Sequence, residues 1–466
     1  MIENPSIRAG EPGQRRLVWL LAYAVAIAIP AIGWSYSFPV DDAWITLHNA
    51  RSLIAGSDLV YGVSPLVGAT SAAHLALMAL LGLAVPLPLA SLILGLAAAF
   101  TYALALDRAL GNAGARAPVL VLAGLLAGSV PLQLLNGLET GMAMATVAGL
   151  LALADDRRLP LLAGLAPFVR PELGLLALLL LGRQCWGASP AVIARTLGLA
   201  GAMALPWLGW IYAETGQLIP ATASAKIAFF AEDQQSFPSR LLLLGTALSA
   251  SFLLPFFVIG LVGAQWHVRV FVLAVLAVAV LTLPGSMAWN DGRYQAPLLP
   301  ALLVGIAGLR ELRSGRLVLG LLCVWTVALL PHHIELLSRQ RAANSRSVAA
   351  FQHIGGSLPP GTRVLVHDAG MIAWAAPHLK LTDAVGLKTP PSADFHRRYT
   401  RRSCEWDHAL DAIARRNHVA YAVVLEEPFW RCVGTNLARA GWLMTEIGPG
   451  SDTRYRFYRV APPEPR

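Results

Sequence analysis

Nine long apolar runs recur through the first two thirds of this chain, at 17–35, 88–106, 117–135, 138–154, 190–212, 240–263, 268–284, 294–309 and 316–331. A helix needs roughly 20 apolar residues to cross a bilayer. A chain that repeats such runs cannot bury them all in a soluble core. Of its 466 residues, 56% are hydrophobic and 14% charged, where soluble domains carry about 25% charged residues. That balance excludes a disordered chain, a fibrous one and an ordinary soluble enzyme. Four cysteines in this length exclude a disulfide scaffold. The chain reads as a polytopic α-helical membrane protein.

Three shorter runs need a different reading. The runs 159–168 and 172–182 flank Arg170-Pro171-Glu172 and suit two half-buried helices meeting near one membrane face. The run 71–84 suits an interfacial helix in the first outer loop. With the half-helices counted, about 11 spans result. The first is not a cleaved signal peptide, because its run is long and no small-residue cleavage site follows.

Charge sets the orientation. With the N-terminus inside, the inner loops hold Arg8, Arg15, Arg16, Arg108, Arg116, Arg157, Arg158, Arg183, Arg269, Arg310, Arg313 and Arg316. The outer loops hold Arg51, Arg170, Lys226 and Arg293, with Arg240 at an edge. An odd number of crossings then puts the C-terminal region outside.

That region differs in composition. From residue 338 on, 18 Lys and Arg face 11 Asp and Glu, most of the net charge of +9. We expect a membrane domain over 1–337 and a small α/β domain over 338–466. In the latter, 363–368 and 420–425 read as strands, 404–417 as an amphipathic helix with Ala409, Leu410, Ile413 and Ala414 on one face, and 454–460 as a final edge strand. Cys404 and Cys432 lie on the oxidising side, where a disulfide and two free thiols are both compatible with the sequence.

The residues that could carry chemistry gather in the outer loops. Asp41-Asp42 follows the first span. Acids stabilise helix N-termini, not C-termini, so a pair after an outgoing helix calls for another reason. Such carboxylates can hold a divalent cation, or one can act as a general base. Lys226 is the sole lysine before residue 338. With Arg170 and Arg293 it lies where the charge rule disfavours cations. A phosphate-bearing lipid substrate at that face accounts for all three. Taken singly, each could instead be paired, Arg170 with Glu172 and Arg293 with Asp291. Glu139 opens a span on the same face and suits a helix N-terminus or a substrate contact. No P-loop, no GxGxxG after a strand, no HExxH and no paired cysteines occur. Nothing points to nucleotide, zinc or nucleic acid.

The ordered set of motifs resembles the GT-C glycosyltransferases. Asp41-Asp42-Ala43-Trp44-Ile45-Thr46-Leu47-His48-Asn49-Ala50-Arg51 is similar to their "DDA-(aromatic)-ITLRYARNL" stretch, with His48-Asn49 in place of Arg-Tyr. Gly68-Ala69-Thr70-Ser71, Asn136-Gly137-Leu138-Glu139-Thr140, Arg170-Pro171-Glu172, Leu218-Ile219-Pro220 with Lys226, and Asp291-Gly292-Arg293-Tyr294 resemble later motifs in order. Asp368-Ala369-Gly370 and Leu381-Thr382-Asp383-Ala384-Val385-Gly386-Leu387 resemble a C-terminal pair. The branch most resembled is that of arabinofuranosyltransferases using polyprenyl-phosphoryl sugars. The resemblance implies an inverting transfer of a sugar, such as the pentofuranose arabinose, from a polyprenyl-phosphate donor. The acceptor would be a hydroxyl of an envelope glycan or protein, at the outer face of the bacterial cytoplasmic (inner) membrane. Asp41 and Asp42 would be base or metal ligands, and Lys226, Arg170 and Arg293 would hold the donor phosphate. His48, Glu139, Glu172, Asp291 and Asp383 would face substrate. Two rivals remain at this point, a transporter or flippase of a lipid-linked sugar and a non-catalytic receptor or assembly protein.

Overall fold

A computed structural model of the protein describes residues 12–32, 34, 37–218, 220–309, 315–448 and 454–463. Arg8, Arg310 and Arg313, the end of the first expected span and Ile219 lie outside the described residues.

The first half is almost wholly helical: α1 (Pro12–Ala28), α2 (Asp42–Ala55), α3 (Ala72–Gly82), α4 (Leu87–Ala109), α5 (Ala117–Leu126), α6 (Val130–Leu134), α7 (Thr140–Ala152), α8 (Leu159–Val169), α9 (Leu173–Cys185) and α10 (Pro190–Thr215). There follow α11 (Thr222–Phe230), α12 (Phe237–Ala250), α13 (Leu254–Gly263), α14 (Trp266–Thr282), the single turn α15 (Trp289–Gly292), α16 (Leu299–Gly308) and α17 (Gly315–Ser357). Among the described residues, three helices, 87–109, 190–215 and 316–357, are long and apolar enough to cross a membrane. The other apolar helices run 10–17 residues, so the count of 11 spans rests on the sequence runs.

Three expectations change in detail. The run 240–263 is not one straight helix. It is α12 and α13 bent by 102°, because Phe252 takes φ 59° and Pro255 opens α13. The break docks on Gly292, where a Cβ would come within 2.4 Å of Ser251 Cβ. The run 117–135 likewise divides into α5 and α6 around Ala127–Ser129. The expected domain boundary at 337/338 falls inside α17, which runs unbroken through it past Pro331. At α8 and α9 the expected pair of short helices is present, separated by an extended Arg170.

The C-terminal region is an α/β unit on the end of α17. Its strands are β1 (Arg363–Val366), β2 (Lys380–Asp383), β3 (Tyr421–Leu425), β4 (Leu443–Gly448) and β5 (Tyr455–Ala461), and its helices α18 (Met371–Ala375), α19 (Pro390–Tyr399), α20 (Asp407–Arg416) and α21 (Arg431–Arg439). The sheet order is β2-β1-β3-β5-β4. β1 is parallel to both β2 and β3. β5 is antiparallel to both β3 and β4, so it is interior, not the expected edge. The edge is β4, too exposed to show alternation. Ala409, Leu410, Ile413 and Ala414 of α20 are buried as their spacing required. Cys404 and Cys432 form a disulfide, their Cα atoms 5.3 Å apart.

The two regions share their cores. Tyr23, Trp44 and Leu299 belong to one apolar cluster with Val364, Met371 and Tyr455. Phe229 of α11 stacks on Trp406 at 4.2 Å between ring centroids. A buried ion pair also ties them. Lys388 Nζ, fully buried, lies 2.9 Å from Asp58 Oδ2 and donates to Asn49 Oδ1 (2.8 Å) and the Val67 carbonyl (2.9 Å).

Candidate active site

Asp41 and Asp42 stand at the beginning of a helix, not after one. Asp41 is the residue before α2 and Asp42 lies in its first turn. Helix polarity therefore favours the pair, which corrects the dipole argument drawn from sequence. The functional case rests on what surrounds Asp42. Its Oδ2 accepts from Arg293 Nη1 at 2.6 Å and from Asn290 Nδ2 at 3.3 Å, and lies 3.8 Å from Lys226 Nζ. Arg293 reaches back through Nη2 to Glu139 Oε1 at 2.9 Å. Glu139 also meets Arg170 Nη1 at 3.4 Å, and Arg170 Nε donates to Glu172 Oε1 at 2.6 Å. The result is one chain of alternating charge, from Lys226 through Asp42, Arg293, Glu139 and Arg170 to Glu172. Removing any buried member strands its neighbour.

This chain is buried in its middle and accessible at both ends. The Arg170, Glu139 and Arg293 side chains are 1%, 4% and 6% exposed, whereas Lys226 and Asp42 at one end are 15% and 25% exposed and Glu172 at the other is 26% exposed. Arg170 is thus a buried brace between the two ends. Lys226 is steered by the Trp289 ring, 4.9 Å away. Arg170 and Arg293 both lie over Tyr294. The turn that delivers Arg293 is strained, with Asn290 at φ 49° and Asp291 at φ 56°. Gln133 Nε2 holds it by donating to the Asn290 carbonyl at 2.5 Å.

Asp41 faces the C-terminal region. Its Oδ1 accepts from the Met371 backbone N–H at 3.2 Å. Burial, then the charges of Asp368 and Asp42, push its carboxyl well above the usual carboxylate range, against the pull of the Met371 and Gly370 amides. Gly370 permits this approach: a Cβ there would lie 2.6 Å from Ile45 N and 2.8 Å from the Asp41 carbonyl oxygen.

Cavities meet at this point. One, of 460 Å³, has apolar walls from Leu175, Ile227, Val275, Val278 and Met287, and includes Arg170, Glu172 and Lys226. Another, of 660 Å³, is polar and lies between the helices and the C-terminal sheet. It includes Asp41, Asp42, Lys226, Asp291 and Asp368, with Trp289, Phe429, Trp430 and Tyr455. Both have the size of a ligand site, and Lys226 borders both. A third, of 440 Å³, is apolar between α8 and α10.

Two sequence candidates are elsewhere. His48 is buried, with Nε2 3.0 Å from Asp58 Oδ2 and Nδ1 facing Arg51 at 3.2 Å. Those partners place the proton on Nε2, and burial lowers its pKa. Asp383 is fully buried and accepts from the Val385 and Lys388 amides at 2.9 and 2.8 Å, closing the turn after β2. Both build the loop that receives Lys388 and face no cavity among those described. Asp291 borders the polar cavity but gives its Oδ2 to Gln340 (2.8 Å), not to Arg293. The residues given no role in sequence are Trp289 and Asn290, which adjoin a noted motif, Tyr294 and Asp368, which lay in noted motifs, and Tyr455, which lay in none.

A divalent cation fits this donor set poorly. Among the described residues no group of three or more His, Cys, Asp or Glu could hold a metal, and Asp42 Oδ2 is already surrounded by Arg293, Asn290 and Lys226.

Comparison with known proteins follows this geometry. A sequence family described as a domain of unknown function (DUF8728) matches residues 335–458. No curated protein matches the chain. Among solved structures, ArnT from Cupriavidus metallidurans bound to undecaprenyl phosphate is similar with a TM-score of 0.58 and 14% identity, over 96% of this chain and 98% of that one. The Archaeoglobus fulgidus oligosaccharyltransferase tethered to an acceptor peptide gives 0.50 and 12%, over 97% and 74%. The arabinofuranosyltransferase AftD from Mycobacteria gives 0.48 and 16%, over 97% and 42%. At these identities the likeness is one of fold, and the chain resembles the GT-C glycosyltransferases, a class of integral membrane proteins, over nearly its whole length.

Proposed function

We propose that the protein is a membrane glycosyltransferase that moves a sugar from a polyprenyl-phosphate donor to an acceptor hydroxyl, with inversion. The observation that carries this is the position of Lys226 and Asp42. They lie 3.8 Å apart, with Lys226 on the apolar cavity and both on the polar one. A lipid tail suits the apolar side and a hydroxyl-bearing acceptor the polar side. ArnT, of like fold, is known bound to undecaprenyl phosphate.

In this reading the donor phosphate draws Lys226 and Arg293 toward itself, and Asp42 holds their place until it arrives. The acceptor oxygen attacks the anomeric carbon, and the bond from that carbon to the phosphate oxygen breaks. The phosphate leaves as an anion held by Lys226 and Arg293. The acceptor proton passes to Asp42. Asp41, whose surroundings favour its protonated form, orients the pair. Glu139, Arg170 and Glu172 hold Arg293 in place. No step runs through a metal.

The sugar is a pentofuranose such as arabinose on the sequence resemblance alone, and the acceptor is an envelope glycan or protein. The proposed setting is the bacterial inner membrane, with about 11 spans, the N-terminus inside and 338–466 outside. Purified protein given a radiolabelled polyprenyl-phosphoryl sugar should lose label from the lipid. A flippase would leave the label on it. A reporter fused after residue 337 should be active only when exported, and cytoplasmic activity there would overturn the reading.

A further inference from the structure

We propose that the C-terminal sheet is a working wall of the site, and that Asp368 binds and orients a neutral, hydroxyl-rich acceptor. This rests on the glycosyltransferase reading and names the acceptor side of that site.

The topology points there first. In the order β2-β1-β3, the chain leaves β1 toward β2 and then crosses back to β3 on the other side. Connections from the neighbours β1 and β3 thus diverge, and open α/β sheets bind ligands in the crevice beyond the carboxyl ends of such strands. Here that crevice is the polar cavity. His367 and Asp368 follow β1 into it, and Leu425, Glu427, Phe429 and Trp430 enter it from the end of β3.

Asp368 is built to present its carboxylate. Tyr455 Oη donates to its Oδ2 at 2.5 Å. His367 Nε2 accepts from the Leu425 amide at 2.9 Å, so a neutral ring carries its proton on Nδ1, which lies 3.3 Å from Asp368 Oδ1. The His367 ring is stacked on Trp430, 4.4 Å between centroids and 10° from parallel. Tyr455 of β5 thus fixes one oxygen of this carboxylate, His367, held by β3, stands close beside the other, and the side chain remains 19% exposed. That preorganisation exceeds what a solvated loop aspartate needs.

The cavity's charge selects the ligand class. Asp42, Asp291, Asp368 and Glu427 border it, with Asp41 and Glu232 pushed by burial toward their neutral forms, against Lys226 and Arg454. Such a surround repels a phosphorylated acceptor and suits one that donates hydroxyl hydrogen bonds and stacks a ring face on Trp289 or Phe429.

The test titrates purified protein with methyl glycosides of arabinofuranose and mannose, and with their phosphates, by intrinsic tryptophan fluorescence. Acceptor and donor constants are measured in parallel by label transfer. We expect neutral glycosides to bind and phosphates to bind more weakly. Asp368→Asn should raise the acceptor KM about 10- to 100-fold, as loss of a charged hydrogen bond does, with donor KM unchanged. Tyr455→Phe should give a smaller rise, and Asp368→Glu a partial recovery. If wild type transfers label but both Asp368 variants keep the wild-type acceptor KM, or if the phosphates bind better, the inference fails. If Asp368→Asn unfolds, Tyr455→Phe decides alone by the same split. If wild type consumes no lipid-linked sugar yet binds neutral glycosides through Asp368, the transferase reading fails and the crevice stands. Absence of any glycoside binding and of any change in acceptor KM sinks the crevice.

Discussion

Substituting Lys388 tests how the C-terminal region is fastened to the helices. Its ammonium is fully buried and makes three contacts of 2.8–2.9 Å, to Asp58, Asn49 and the Val67 carbonyl. Asp58 is equally buried and is held, besides Lys388, by His48 and the Val60 and Tyr61 amides. Lys388→Ala leaves a desolvated carboxylate and an amide oxygen with one partner fewer. Breaking a buried pair from one side costs about 3–5 kcal/mol, or roughly a hundred- to several-thousand-fold in the docked population. Lys388→Met restores volume without charge and should recover little. Pairing Lys388→Met with Asp58→Asn removes both charges and should recover much of the loss, a coupling that a double-mutant cycle reads directly. The assay is thermal unfolding in detergent, with limited proteolysis of the C-terminal region. A Lys388→Ala protein that melts and resists protease like wild type would refute the argument that this pair clamps the two regions.

Lys226→Ala should raise the donor KM or lower kcat with acceptor KM unchanged. Lys226→Arg should keep partial activity, because charge is retained and shape is not. Unchanged kinetics in both variants would move the phosphate elsewhere. Gly370→Val, at a buried glycine, should impair transfer, since its Cβ would meet Ile45 N at 2.6 Å and displace the wall beside Asp41. Normal turnover there would show that this approach is slack. Asp58 predicts a pH response. Burial alone would raise its pKa, but the His48 hydrogen bond and the Lys388 charge outweigh burial and hold it below the ordinary range. A lowered folded-state pKa gives stability that is full above the unfolded value, about 3.9, and lost as pH falls through the folded one. Melting temperature should therefore fall more steeply below about pH 4 in wild type than in the Asp58→Asn, Lys388→Met double variant. Parallel curves would contradict it.

The helical runs were legible because a bilayer sets their length and composition. Where the runs broke was not. The bend combines a positive φ at Phe252 with Ser251 docked on Gly292, and only Pro255 within 240–263 hints at it. The end of the membrane region was placed by composition at 337, but α17 continues as one helix through that change. In the site, Asp42, Lys226 and Arg293 were found because charges are rare in such a chain and each stands out. His48 and Asp383 were named because they lie in motifs, and a motif marks a buried brace as readily as a ligand contact; their partners Asp58 and the Val385 amide show them bracing the fold. Asp368 was quoted within a motif but given no role, because it lies in the charge-rich tail, where one carboxylate does not stand out. Its meaning depends on β1 and β3 being neighbours, which local sequence does not encode.

The central claim is that Asp42 takes the acceptor proton while lipid phosphate leaves. Protein reconstituted in vesicles with a radiolabelled polyprenyl-phosphoryl pentofuranose and a glycan acceptor measures it. Wild type should move label from lipid to acceptor. Asp42→Asn should transfer at least about 100-fold more slowly while binding donor no more weakly, because it loses the carboxylate that occupies Arg293 and Lys226. Near-normal transfer by Asp42→Asn, or label that stays on the lipid in wild type, would contradict the account.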